Sequence, residues 1–152
     1  MVEERISRLG LELPAVPRPV AAYQPGVMVD GLVFTSGQLP LADGELRFKG
    51  RLGAELTVEE GYAAARLCAL NCLAVVRSLV GSLDRVERVV KLNGYVNSAA
   101  DFFQQPQVVN GASELLGEIF GEAGKHARAA VGVSSLPLNA AVEIDIIVKV
   151  TV

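Results

Sequence analysis

The run from Thr57 to Gly81 is the feature that most limits what this chain can fold into. Thr57 followed three residues later by Glu60 is a capping box, and Gly81 supplies the residue on which a helix ends. Together they predict one long helix over about 58–80. The helix is rich in small residues, among them Ala63, Ala64, Ala65, Ala69 and Ala74. Side chains that short let a helix backbone lie close against a sheet, so the flanking sequence is expected to supply one.

The flanks carry that signal. Val27-Met28-Val29 and Leu32-Val33-Phe34-Thr35-Ser36 surround Asp30-Gly31 and predict a β-hairpin. Pro40 to Gly53 reads as a polar, Gly-rich loop. Val86 to Val96 reads as a strand with a bulge at Asn93-Gly94. A second helix is expected over about 106–120, stopped by Gly121 and Gly124. Ala129 to Val133 reads as a short strand, and Leu136-Pro137-Leu138-Asn139 turns the chain. From Ala141 to Val152 the residues alternate cleanly. Val142, Ile144, Ile146, Val148 and Val150 share one face, and Glu143, Asp145, Ile147, Lys149 and Thr151 the other. The order ββ-α-β-α-ββ has too few helices for a doubly wound parallel sheet, so an α+β sandwich with its helices on one face is expected. Ahead of it, residues 2–9 form an amphipathic helix stopped by Gly10, and Leu13 to Pro19 is a Pro-rich extended connector. The expected division is an extension over 1–19 and a domain over 20–152.

Composition narrows the class. Half of the 152 residues are hydrophobic (51%), and mean hydropathy is +0.37. So apolar a chain is expected to bury surface in an oligomer as well as in its own core. Net charge is −3, the pI is near 5.2, and no Lys/Arg run occurs. Nucleic acid and anionic membranes are therefore disfavoured as partners. No leader is expected from Met1-Val2-Glu3-Glu4-Arg5, and no run of about 18 apolar residues escapes interruption by charge, Gly or Pro. A cytoplasmic protein with no membrane partner is the expectation.

Several chemistries are disfavoured. One histidine, His126, excludes a His-rich metal site. Cys68 and Cys72, four apart on the long helix, read as small core residues, so no metal is expected. Ser36-Gly37 lacks the Gly-x-Ser-x-Gly elbow, and its one possible imidazole is His126, so a Ser-His triad is disfavoured. Two candidates remain. Arg128 stands at a strand start after a Gly-rich turn, where a guanidinium can grip a carboxylate through two parallel hydrogen bonds. Glu143 lies on the polar side of the last strand. A hairpin of 129–135 with 141–150 would set Arg128 opposite about position 148 and Glu143 some 16 Å away, at ~3.3 Å per residue. The two would then meet only across a subunit interface.

Three blocks in order carry a resemblance. They are Phe34-Thr35-Ser36-Gly37-Gln38-Leu39-Pro40, the run from Arg128 to Leu136-Pro137, and Val142-Glu143-Ile144-Asp145. With Tyr23 and Asn110 they resemble the RidA/YjgF family, also labelled endoribonuclease L-PSP. The resemblance runs from about Val20 to the C-terminus. It implies a chorismate-mutase-like α+β fold, with two helices on one face of a mixed sheet, and a homotrimer with ligand clefts between subunits. It implies hydrolysis of reactive imines or enamines, such as 2-aminoacrylate, to a 2-oxo acid and ammonia, without a cofactor. In that pattern Arg128 holds the substrate carboxylate, and Glu143 of a neighbouring chain orients water. Ser36 and Gly37 line the cleft, and Tyr23 and Asn110 shape it.

The sequence departs from that pattern where it has Ala130 for a frequent Cys, Ser113 for a frequent Tyr, and Lys125-His126 for an apolar-Pro pair. These mark a longer, divergent branch. A non-catalytic module binding small carboxylates in the same cleft is the alternative. Ribonuclease action is disfavoured by the acidic pI and the single His.

Overall fold

A computed structural model describes residues 1–16 and 22–151. The expected boundary at residues 19 and 20, and the end of the Pro-rich connector, lie outside them. The elements are α1 (Val2–Arg8), β1 (Gly26–Val29), β2 (Leu32–Thr35), β3 (Leu41–Ala42), β4 (Glu45–Leu46), α2 (Val58–Val80), β5 (Val86–Asn97), α3 (Gln105–Phe120), β6 (Ala127–Val133) and β7 (Val142–Val150). The large sheet has the order β1-β2-β7-β5-β6. All its pairings are antiparallel except β5 with β6. This is the expected α+β sandwich, with α2 and α3 on one face.

Local chemistry explains most boundaries. The Thr57 hydroxyl accepts from the Glu60 amide while the Glu60 carboxylate accepts from the Thr57 amide, closing the capping box. Asp30 and Gly31 both take positive φ (51° and 76°), the pairing a two-residue hairpin needs. The alternation of β7 is complete: Val142, Ile144, Ile146, Val148 and Val150 are buried, and the residues between them are half-buried.

Three expectations change. Residues 129–135 do not form a hairpin with 141–150. β6 runs parallel to β5 at the sheet edge, and β7 inserts between β2 and β5. No bulge sits at Asn93-Gly94, which keeps regular register with Asp145 and Ile144. The irregularities fall between Val86 and Arg88 and between Val89 and Lys91. The expected loop after Pro40 contains a small hairpin of β3 and β4. The α2 helix passes a length-and-composition test for crossing a membrane, but Arg66 interrupts every 18-residue stretch of it, as the sequence indicates. Its buried side, including Ala65, Cys68, Cys72 and Val76, packs into the core.

The N-terminal helix is docked on the domain. Ile6 enters the core, the Arg5 guanidinium donates to the Ile119 carbonyl (2.9 Å), and Glu3 binds Arg77 (2.8 Å) and the Leu83 amide (2.7 Å). Between α2 and α3 the contact is close at Gly111, where an added Cβ would collide with the Tyr62 carbonyl. Neither backbone can yield easily. Gly111→Ala should therefore lose about 2 kcal/mol of stability through overpacking, although alanine favours a helix by ~1 kcal/mol. Chemical denaturation checks this, and an unchanged midpoint would mean the two helices can separate at little cost.

Candidate functional site

The sheet has two unlike faces. α2 and α3 cover the face of Val33, Leu92, Val96, Ile144 and Ile146. The other face carries Val27, Val29, Phe34 and Val131, all exposed, beside half-buried Leu32, Tyr95, Glu143, Asp145 and Ile147. Arg128 registers with Leu92, which registers with Ile146, so it belongs to the covered face. Glu143 registers with Tyr95 and belongs to the open one. Two strand spacings and three residues separate the pair, about 14 Å in the plane of the sheet. The two residues do not share a site within one chain, and the cause is the sheet between them rather than the hairpin expected from sequence.

The expected site residues accordingly form two clusters. In the first, Gly37 follows β2 and lies under the Glu143 side chain. A Cβ at position 37 would meet the Glu143 carboxylate, so any larger residue there would push that side chain aside. Backbone bonds between Gln38 and Ile144 (2.7 and 3.0 Å) hold the two segments together. The Ser36 hydroxyl donates to the Gln24 carbonyl (2.5 Å), so it fastens the segment ahead of β1 and is not a free nucleophile. Tyr23, in that segment, is exposed. Burial raises the Glu143 carboxyl above its ordinary range, and the neighbouring Asp145 charge adds to the rise. Asp145 is itself anchored by the Asn93 amide (2.8 Å).

The second cluster is built on α3 and the start of β6. Arg128 Nη1 donates to Asn110 Oδ1 (2.8 Å) and Ser113 Oγ (3.2 Å), and Nη2 donates to the Pro106 carbonyl (3.4 Å). Those bonds fix the guanidinium plane against α3. Among the described residues no carboxylate lies within ion-pair distance of it. Its Nε–H and one Nη2–H make no bond there either. Nε–H and Nη2–H are the donors with which a guanidinium meets a carboxylate side-on. The expected residues Arg128 and Asn110 are thus brought together.

Sequence reasoning placed Ser113 and His126 in the cleft only as departures from the family pattern, yet they complete this cluster. Ser113 Oγ lies 2.9 Å from His126 Nε2, and His126 Nδ1 lies 2.6 Å from the Gly124 carbonyl. Burial lowers the His126 pKa and the Arg128 charge lowers it further, against the opposing effect of the Gly124 bond. The signal was present in spacing. Asn110 and Ser113 are three apart on a helix, and His126 and Arg128 two apart along an extended segment, so each pair shares a face. Ser113, Gly117, Gly124, Lys125, His126 and Arg128 line a cavity of about 320 Å³. A larger cleft of about 420 Å³ near Arg51 and Phe103 holds none of the expected site residues. Cys68 and Cys72 are fully buried core residues facing the Val142 and Ile144 carbonyls, and burial pushes both thiols up. No group of three metal-ligating side chains occurs among the described residues.

A mixed five-stranded sheet backed by two helices, with an Arg on its edge strand, defines a chorismate-mutase-like protein of the α+β class. The chain belongs to the family described as YjgF/chorismate mutase-like, putative endoribonuclease, whose model matches residues 3–150. It is 49% identical over 149 residues to protein TCP17 of Trypanosoma cruzi, covering 97% of this chain and 93% of that one. The crystal structure of a putative endoribonuclease from Shewanella oneidensis superposes with a TM-score of 0.96 at 39% identity, covering 99% of both chains. A Dermatophagoides farinae protein described as 2-iminobutanoate/2-iminopropanoate deaminase is 29% identical over 140 residues, 92% of this chain and 94% of that one.

Proposed function

We propose that this protein hydrolyses small carboxylate-bearing imines or enamines to 2-oxo acids and ammonia, in clefts between the subunits of a homotrimer. The observation that carries the reading is Arg128. Its guanidinium is fastened to α3, lines a cavity, and keeps two unused N–H donors with no carboxylate partner among the described residues. The deaminase relative supports the reaction class. The open apolar sheet face and the separation of Arg128 from Glu143 support the assembly.

The chemistry needs little else. An imine carbon is already electrophilic, more so once protonated, so the site has to hold the carboxylate, position a water and stabilise the changing charge. Arg128 does the first, and a carboxylate such as Glu143 from a neighbouring chain does the second. Ammonia release from freshly generated 2-aminoacrylate tests the reading. Release well above the spontaneous rate is expected. Tight 2-oxo acid binding without turnover would instead identify a carboxylate-binding module.

A further inference from the structure

We propose that Ser113 and His126 form a proton-transfer pair serving the Arg128 site, with His126 as the base and the Ser113 hydroxyl as the relay to the bound ligand. The proposal rests on the imine-hydrolysis reading and adds residues to it. Its basis is a directional chain of hydrogen bonds. His126 Nδ1 faces a carbonyl at 2.6 Å, and a carbonyl only accepts, so Nδ1 carries the proton. In the neutral ring Nε2 is then an acceptor, and the Ser113 hydroxyl donates to it over 2.9 Å. The Ser113 oxygen in turn accepts from Arg128 Nη1. A serine polarised in this direction can take a proton from a neighbouring group as it passes its own to His126. The cavity that Arg128 faces is lined by both residues, so a ligand on the open guanidinium edge lies beside them.

The step balances. Water addition to the iminium gives a carbinolamine, R–C(OH)(NH3⁺)–COO⁻, whose carboxylate sits on Arg128. As the carbonyl forms, the carbinol O–H proton passes to Ser113 Oγ and the serine proton to His126 Nε2. The C–N bond breaks, and its electron pair leaves with nitrogen as ammonia. The imidazolium then returns its proton to ammonia or to solvent, and the neutral ring is restored. No oxidant, metal or second substrate is required.

The surroundings keep the base neutral before the reaction. Arg128 faces His126 from β6, and Lys125, paired with Glu122, adjoins it. Arg88 of β5 donates to the Lys125 carbonyl. On α3, Glu114 is bound to Tyr62 and Glu118 to Arg66, both on α2. The charge nearest the ring is positive, which together with burial disfavours the imidazolium. A ligand carboxylate on Arg128 offsets that charge, so ligand and proton should bind with positive coupling.

The test uses the fact that His126 is the only histidine in the chain, so an untagged protein gives one imidazole signal in nitrogen-15 NMR. Free protein should show the Nδ1–H tautomer with a midpoint below that of an ordinary histidine, and the midpoint should rise when 2-oxobutyrate saturates the site. In turnover of 2-aminoacrylate, kcat should fall below that midpoint as the base is protonated. His126→Gln and Ser113→Ala should each lower kcat about a hundredfold and remove this acid limb. An acid limb owed to Glu143 should remain. A wild type that turns substrate over with the same pH profile as Ser113→Ala, or whose imidazole midpoint ignores saturating 2-oxobutyrate, overturns the pair alone. A wild type that neither binds 2-oxo acids nor releases ammonia overturns the proposed function, and this inference with it.

Discussion

Arg128→Ala should abolish measurable binding of pyruvate and 2-oxobutyrate while leaving the fold intact. The expected loss is about 2–5 kcal/mol, the range for truncating one partner of a hydrogen-bonded charge pair in a partly desolvated cleft. At 1.4 kcal/mol per tenfold that is roughly thirty- to several-thousandfold in affinity. The fold should survive because the guanidinium's own partners, Asn110, Ser113 and the Pro106 carbonyl, are only partly buried or exposed, so water can replace it. Arg128→Lys should rescue little. An ammonium is a point donor and cannot hold α3 on one side while presenting two parallel donors on the other. Calorimetric titration of wild type and both variants measures this directly. Unchanged affinity in Arg128→Ala would mean the open edge is not where a carboxylate sits, and the proposed function would lose its carrying observation.

The sequence showed the elements more clearly than their neighbours. α2 was readable from end to end because its start and stop are local chemistry, Thr57 with Glu60 and then Gly81. β7 was readable because every second residue is buried. The position of β7 between β2 and β5 was not, because strand order depends on which hydrophobic edges meet across the whole chain. Two strands joined by the Leu136–Asn139 turn suggest a hairpin, and the parallel pairing of β6 with β5 is a non-local choice. That error set Arg128 opposite the wrong residue but left its separation from Glu143 nearly unchanged. The site was half legible for the same reason. Arg128, Asn110, Gly37 and Glu143 were visible as residue types in register. Spacing puts Asn110 with Ser113 and His126 with Arg128, but the bonds between the two pairs depend on α3 crossing the start of β6, which spacing does not announce.

The placement of Arg128 and Glu143 on opposite faces gives the most decisive prediction. Glu143→Gln keeps the shape of the side chain over Gly37 but removes its charge, so it should spare 2-oxo acid affinity and lower kcat by about a hundredfold or more. Equal loss of affinity and kcat would point to a structural role. If each cleft takes Arg128 from one chain and Glu143 from the next, Arg128→Ala and Glu143→Gln homotrimers are both inactive for different reasons. Unfolding and refolding the two together in equal amounts should then restore activity. A random mixture sets an intact Arg128 against an intact Glu143 at about a quarter of its interfaces, so about a quarter of wild-type kcat per site is expected. If one chain held both residues of a site, no mixture could place two intact residues together, and activity would stay at the level of the parents. A refolded mixture that sediments as a trimer yet shows no rescue would therefore exclude the intersubunit cleft. A mixture that sediments as a monomer would exclude the assembly itself.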